Sequence, residues 1–302
     1  MTDIFQARSA QPMLLTEQRE PFDSTDFIYE LKLDGIRSLA YLEEGATDLR
    51  NKENMALVHL FPELADIHLQ ADRPCILDGE LVVMENGKPS FERLQRRALS
   101  TNPFKIKLAK DQYPASFVAY DILYLNGKAL YDLPLLERKN ILARAVRETA
   151  RLAVSRFTPK EGITLYNNAA AMELEGIVAK RTDSLYHPGS RTKDWIKIKN
   201  LIDEDFIACG YILKGSLVSL VLGKQANGQL VYEGHVTLGV PGQTVRSMET
   251  GRHSPFSQTP PGHEDAIWFS YMPLCTVRYM MRTSGGGMRQ PVFKAFRTGM
   301  LH

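Results

Sequence analysis

The chain has 302 residues, with 37 Lys and Arg against 35 Asp and Glu, a formal net charge of +2, 44% hydrophobic and 24% charged residues. That composition excludes a disordered chain and a uniform polycation, and the length suits two domains better than one. There is no apolar run near the roughly eighteen residues of a membrane span, no secretory signal at the N-terminus, and only three scattered cysteines (Cys75, Cys209, Cys275), which exclude a disulfide framework or cysteine-rich zinc module and point to the cytoplasm.

Residues 27–37 read FIYELKLDGIR. Side chains alternate along a strand, so Phe27, Tyr29, Leu31 and Leu33 face one way and Glu30, Lys32 and Asp34 the other. In isolation this predicts one apolar face turned inward and one charged face turned to water. Gly35 closes the segment where a backbone can approach a ligand closely. Residues 76–83 place Asp78, Glu80 and Val82 on one face of an otherwise apolar strand. A helix is predicted over 91–99, with Phe91, Leu94 and Ala98 on one face. Residues 93–110 hold six basic residues (Arg93, Arg96, Arg97, Lys105, Lys107, Lys110) and no acid. Residues 117–123 carry Tyr120 and Asp121 inside an apolar run. A second helix is predicted over 134–152, with Leu135, Leu142, Ala145 and Val146 on one stripe. A short strand starts at Glu175 and ends at Lys180, and residues 195–199 aim Trp195, Lys197 and Lys199 to one side and Ile196 and Ile198 to the other.

The texture changes near residue 200, which divides the chain into predicted domains 1–200 and 201–302. Residues 217–223 and 230–236 flank Asn227-Gly228, a strong hairpin signal. Residues 266–271 read as another strand, and 255–262 and 284–287 as loops. Short strands and turns over about a hundred residues suit a small β-barrel, the oligonucleotide-binding barrel being one candidate. Residues 278–297 hold five further basic residues (Arg278, Arg282, Arg289, Lys294, Arg297) and no acid, so a polyanion can be drawn to local patches while net charge stays near zero. The seven histidines show no metal-ligand spacing.

Charges that recur on strands with buried character are costly unless paired or met by a charged ligand. Lysines suit phosphate and carboxylates suit a hard cation, so a nucleotide with a divalent metal satisfies Lys32, Lys197, Lys199, Glu80 and Glu175 together.

At these residues the sequence resembles the covalent nucleotidyltransferases, specifically ATP-dependent DNA ligases, and most of all the ligase module of bacterial end-joining ligases. Lys32-Leu-Asp-Gly-Ile-Arg37 resembles the nucleotidyl motif, and the other four segments follow in the family's order. The resemblance implies an α+β fold: a nucleotidyltransferase (adenylation) domain of antiparallel sheets flanked by helices, followed by a C-terminal OB-fold barrel. It implies sealing of 5′-phosphate/3′-hydroxyl breaks in DNA through a lysyl-AMP intermediate and a DNA-adenylate, with ATP as the AMP donor and Mg²⁺ or Mn²⁺ as the metal. An RNA ligase or an RNA-capping-type nucleotidyltransferase is the alternative from the same superfamily.

Carried over by position, the resemblance makes Lys32 the nucleophile, its amine lowered in pKa by metal and by Lys197 and Lys199. Glu30 falls where adenine is read and Tyr120 where it is stacked on, in place of a more frequent Phe. Glu80 and Glu175 match acidic positions linked to metal and ribose, Lys197 and Lys199 the pair on the α-phosphate, and Arg37 the arginine near ribose and nick phosphate. Arg50 resembles the residue that meets the 5′-phosphate end; Lys52 stands where the family commonly has glycine. Lys52, Arg191 in the loop at 186–191, and Arg289 are further expected nucleic-acid contacts. After Arg297 the family often has an Asp-Lys pair facing pyrophosphate; here Thr298, Gly299 and Met300 follow, which predicts slower self-adenylylation. With no preceding module in this sequence, modest DNA affinity that falls steeply with salt is expected. Expected partners are nicked or broken duplex DNA and an end-binding repair protein, with the chain a monomer associated with a bacterial nucleoid.

Overall fold

The strand predicted around Lys32 runs from Ser24 to Leu31, one residue short of the lysine. It is covered on both faces: Ile28 and Tyr29, neighbours that point opposite ways, are 1% and 0% exposed. The expectation of a face turned to water is therefore wrong, because the sheet to which this strand belongs is sandwiched. In a computed structural model that describes residues 3–282 and 285–297, the chain divides into two compact units, Met1–Asn200 and Leu201–His302.

The first unit has two sheets. One orders its strands Leu14–Gln18, Arg191–Lys199, Gly176–Arg181, Ser24–Leu31 and Phe157–Lys160; only the first pair is parallel. Helix Gly162–Ala171 covers one face through Ala169 and Leu165, which pack on Tyr29, Ile177, Ala179 and Ile198. The opposite face meets the second sheet through Ile28, Leu39, Tyr41, Ile76 and Trp195. That second sheet is ordered Ala46–Asn51, Ile36–Glu43, Cys75–Glu85, Ala115–Leu125 and Lys128–Ala129, with two short strands attached.

The predicted helix at 91–99 is Phe91–Ala98, its first turn capped by the Ser90 hydroxyl. The predicted helix at 134–152 stops at Ala145. Val146 is extended, and Asp72 and Arg147 exchange backbone hydrogen bonds with Ala145 and Gln70, so pairing with the 70–72 segment replaces the helical ladder. Leu152, expected as the last helical residue, instead opens the strand Leu152–Val154, parallel to Ala115–Leu125. A helix not anticipated from periodicity, Pro103–Gln112, starts at Asn102, whose Oδ1 accepts from Phe104 and Lys105 amides. It buries no residue, which removes the apolar stripe that would have announced it.

In the second unit Ile202–Lys214 lies between Leu217–Ala226 and Leu274–Tyr279, with Gln229–Val236 and Val292–Phe296 at the two ends. Asn227 (φ 51°) and Gly228 (φ 77°) both take the left-handed conformation that a two-residue hairpin turn of this hand requires. The strand expected at 266–271 is only Ile267–Trp268, paired with Ile202–Lys214; beyond it Phe269 donates its amide to Cys209 instead. Residues 255–262 and 285–287 lack regular structure, while residue 284 lies outside the described residues. All three cysteines are free and buried, and burial pushes each thiol up to about 12. Among the described residues no helix is long and apolar enough to cross a membrane.

Candidate active site

Alternation across the first sheet aligns Glu17, Lys197, Val178 and Glu30 in one row over four strands, with Trp195, Lys180 and Ile28 in the next row of the same face. From these rows Glu30, Val178, Lys180 and Trp195 line an open cleft that Lys32, Arg37, Glu80 and Tyr120 also line.

Two glycines create the approach of the wall segments. A Cβ on Gly35 would stand 2.1 Å from the Leu81 carbonyl oxygen and 2.7 Å from Cγ of Glu80, so the turn after Lys32 lies directly on the strand of Glu80. Gly176 has φ 138°, and its carbonyl accepts from the Lys32 amide at 2.9 Å. Lys32 thus leaves its strand beside Glu175, and its Nζ donates to Glu175 Oε2 at 2.8 Å.

Glu30 lies at the cleft floor, 2% exposed. Its carboxylate meets Lys139 Nζ at 2.5 Å and Lys180 Nζ at 3.1 Å, and accepts from the Ser155 hydroxyl at 3.0 Å. Burial alone would raise its pKa; the two ammonium groups outweigh burial and hold it below the usual carboxylate range. Burial pushes Lys180 down to about 8 against the opposing pull of Glu30. Its Nζ lies 4.4 Å from the Tyr120 ring centroid and 4.2 Å from that of Trp195.

Arg37 makes a two-pronged pair with Asp78, at 3.1 and 2.7 Å, and the Tyr186 hydroxyl donates to the same carboxylate at 2.7 Å. Glu80 is paired in register with Arg37 across the second sheet. Burial pushes its carboxyl up to about 8, with Lys32 and Arg37 opposing and Glu175 reinforcing the rise. Lys197 and Lys199 reach one carboxylate, Glu17, at 3.0 and 3.6 Å.

The structure therefore brings together Lys32, Glu30, Arg37, Glu80, Tyr120 and Glu175, with Lys197 in the row of Glu30 and Lys199 two residues further along its strand. Arg50 is not in the cleft lining; it donates to Asp48 at 2.8 Å and to the Asn54 carbonyl at 3.1 Å. Lys52 is exposed beside Glu53, and Arg191 binds the Leu15 carbonyl. Arg289 belongs to the second unit, where its backbone pairs with Met280 and Met281. The segment after Arg297 lies outside the described residues. Neither basic run is a bare patch: Arg93, Arg96 and Arg97 pair with Glu85, Glu92 and Glu63, and Arg278, Arg282 and Arg297 with Asp203, Glu204 and Asp205. Lys180, Lys139 and Ser155 were missed as site residues. Lys180 carried a signal, because it shares the strand face of Val178; Lys139 and Ser155 carried none.

Among the described residues no three His, Cys, Asp or Glu side chains gather as a metal cluster. Glu80 and Glu175 nevertheless fit a divalent cation shared with phosphate: burial first, and the neighbouring Glu175 with it, push the Glu80 carboxyl up, a cost that a cation at the two carboxyls would relieve.

Residues 10–199 match the family described as ATP dependent DNA ligase domain. The chain is 28% identical over 287 residues to the SPbeta prophage-derived DNA ligase-like protein LigB of Bacillus subtilis, covering 95% of this chain and 98% of that protein. It is 33% identical to the multifunctional non-homologous end joining protein LigD of Pseudomonas aeruginosa, over 90% of this chain and 34% of the relative. The chain thus spans about a third of that relative's length. The solved ligase domain of M. tuberculosis LigD aligns over 95% of each chain with a TM-score of 0.58 and 27% identity.

Proposed function

Because this chain belongs to the ATP-dependent DNA ligase family, we propose that Lys32 is the residue that carries AMP between ATP and a 5′-phosphorylated DNA end. One observation carries this reading: Lys32 lines the cleft, with its Nζ 2.8 Å from Glu175 Oε2. Attack on the α-phosphate requires a free lone pair on that nitrogen, and Glu175 is placed to take the proton it gives up. Pyrophosphate leaves and a phosphoramidate bond forms. A 5′-phosphate oxygen then takes the AMP from Lys32, and a 3′-hydroxyl displaces it in closing the break.

In this reading Tyr120 stacks on adenine and Glu30 reads its edge. Lys197 and Lys199 meet the α-phosphate as charge builds there. Arg37, locked by Asp78, faces the ribose, and Arg50 and Lys52, outside the cleft, are placed for the DNA end, with Arg191 and Arg289 as further backbone contacts. Glu80 and Glu175 would hold Mg²⁺ or Mn²⁺, which when bound neutralises phosphate charge.

The second unit is assigned as an OB-fold barrel. Supporting this, Leu238 follows one end strand and bridges to Val292 on the other, drawing the sheet's two edges together. The likeness to LigD supports a role in bacterial end joining on nicked or broken duplex DNA, beside an end-binding protein in the cytoplasm. The test is exposure to α-labelled ATP and Mg²⁺, peptide mapping, and sealing of a singly nicked duplex. An AMP adduct on Lys32 and a sealed strand are expected; an adduct-free Lys32 overturns the assignment.

A further inference from the structure

We propose that Glu17 is a positioning residue that competes with the α-phosphate of ATP for Lys197 and Lys199, and so sets how firmly ATP is held before it reacts. The inference rests on the reading that these lysines meet phosphate.

Strand Leu14–Gln18 runs parallel to Arg191–Lys199, and a bulge between Leu15 and Thr16 brings Glu17 level with Lys197. Lys197 and Lys199 are two residues apart, so both amines emerge on the face that carries Glu17. A single oxygen, Oε2, stands 3.0 Å from Lys197 Nζ and 3.6 Å from Lys199 Nζ. One anionic oxygen shared by two lysine amines is also what an α-phosphate oxygen would require of this pair. The same donors cannot serve both oxygens at full strength.

Glu17 is suited to yield. Its side chain is 48% exposed, against 24% and 20% for the two lysines, so the carboxylate can swing into water while the amines stay. Burial works to raise its pKa, but the hydrogen bonds and charges of the lysines hold it below the usual carboxylate range, and it stays anionic through neutral pH. Leu15, on the same strand face, lines the cleft, so Glu17 stands at the edge of the nucleotide wall. Reaching ATP, the lysines give up this partner; once AMP has left Lys32, the carboxylate takes them back. The pair is preset in direction and moderated in strength.

The experiment compares the full chain with Glu17→Gln and Glu17→Ala, following adduct formation on Lys32 against ATP concentration, with melting temperature as the check on folding. Losing two partly exposed ion pairs should lower the KM for ATP by about two- to tenfold. The KM should also rise more steeply with salt, since two uncompensated lysines then face the triphosphate. If Glu17 only braced the lysines, their disorder would raise the KM. A KM that is unchanged or raised overturns the proposal. A wild-type chain that forms no Lys32 adduct instead defeats the functional reading beneath it.

Discussion

Lys32 Nζ and Glu175 Oε2 lie 2.8 Å apart across a sequence separation of 143 residues. The contact follows from strand pairing: Leu31 is level with Ile177, so the residues just beyond those strand ends, Lys32 and Glu175, meet at the cleft mouth. Replacing Glu175 with Gln keeps the shape and removes the proton acceptor. Single-turnover adenylylation of Glu175→Gln should fall by at least about a hundredfold, the range for a positioned base, with the melting temperature little changed. A wild-type rate would remove Glu175 from the chemistry.

Glu80 gives a pH prediction with a definite sign. Its carboxyl titrates at about 8 in the folded protein against an ordinary 4.5. Between those limits the folded chain binds a proton that the unfolded chain has released, so this group makes stability fall as pH rises. Urea melts of Glu80→Gln should lose that part of the decline, and the variant should gain on the wild type steadily from pH 5 to pH 8. Cation binding at Glu80 should release protons near pH 7 in the wild type and fewer in the variant, read by pH-stat titration.

Arg138 and Asp121 are both fully buried and share two hydrogen bonds of 2.9 Å. Arg138→Met leaves a carboxylate uncompensated in the core and should cost about 3–5 kcal/mol in denaturant unfolding. Adding Asp121→Leu should restore most of that loss. If the double replacement is no better than the single one, the pair matters through packing and not through charge.

Tyr120 tests the stacking wall. Tyr120→Phe retains the ring and should leave the KM for ATP within about twofold, whereas Tyr120→Ala should raise it about tenfold. Steady-state adenylylation over a range of ATP decides between them. Equal effects of Phe and Ala would transfer the role to the hydroxyl.

Glu80 and Lys197, on strands, and Lys32 and Glu175, just beyond strand ends, could be read because a charge within or beside an apolar strand is conspicuous within ten residues. Lys139 could not: it sits on a helix and reaches Glu30 only through tertiary packing. The helix end at Ala145 was hidden for a related reason, since the backbone partners that replace the helical ladder come from residues 70–72. The basic runs are partly opposed. Arg97 finds Glu63, and Arg278 finds Asp203, so acids distant in sequence meet several arginines that look unopposed along the chain. In the second unit the Asn227-Gly228 turn was legible because it is local, whereas the strand at 266–271 was cut short by a backbone contact to Cys209.

Strand Ser24–Leu31 serves two masters: Tyr29 belongs to the helix-covered core and Glu30 to the cleft. Inserting or deleting one codon inside it would exchange those duties at a stroke, placing a carboxylate in the oily layer and a phenol at the nucleotide wall. A scan of single-residue insertions should therefore find this stretch among the least forgiving in the chain, and the loops on either side more tolerant.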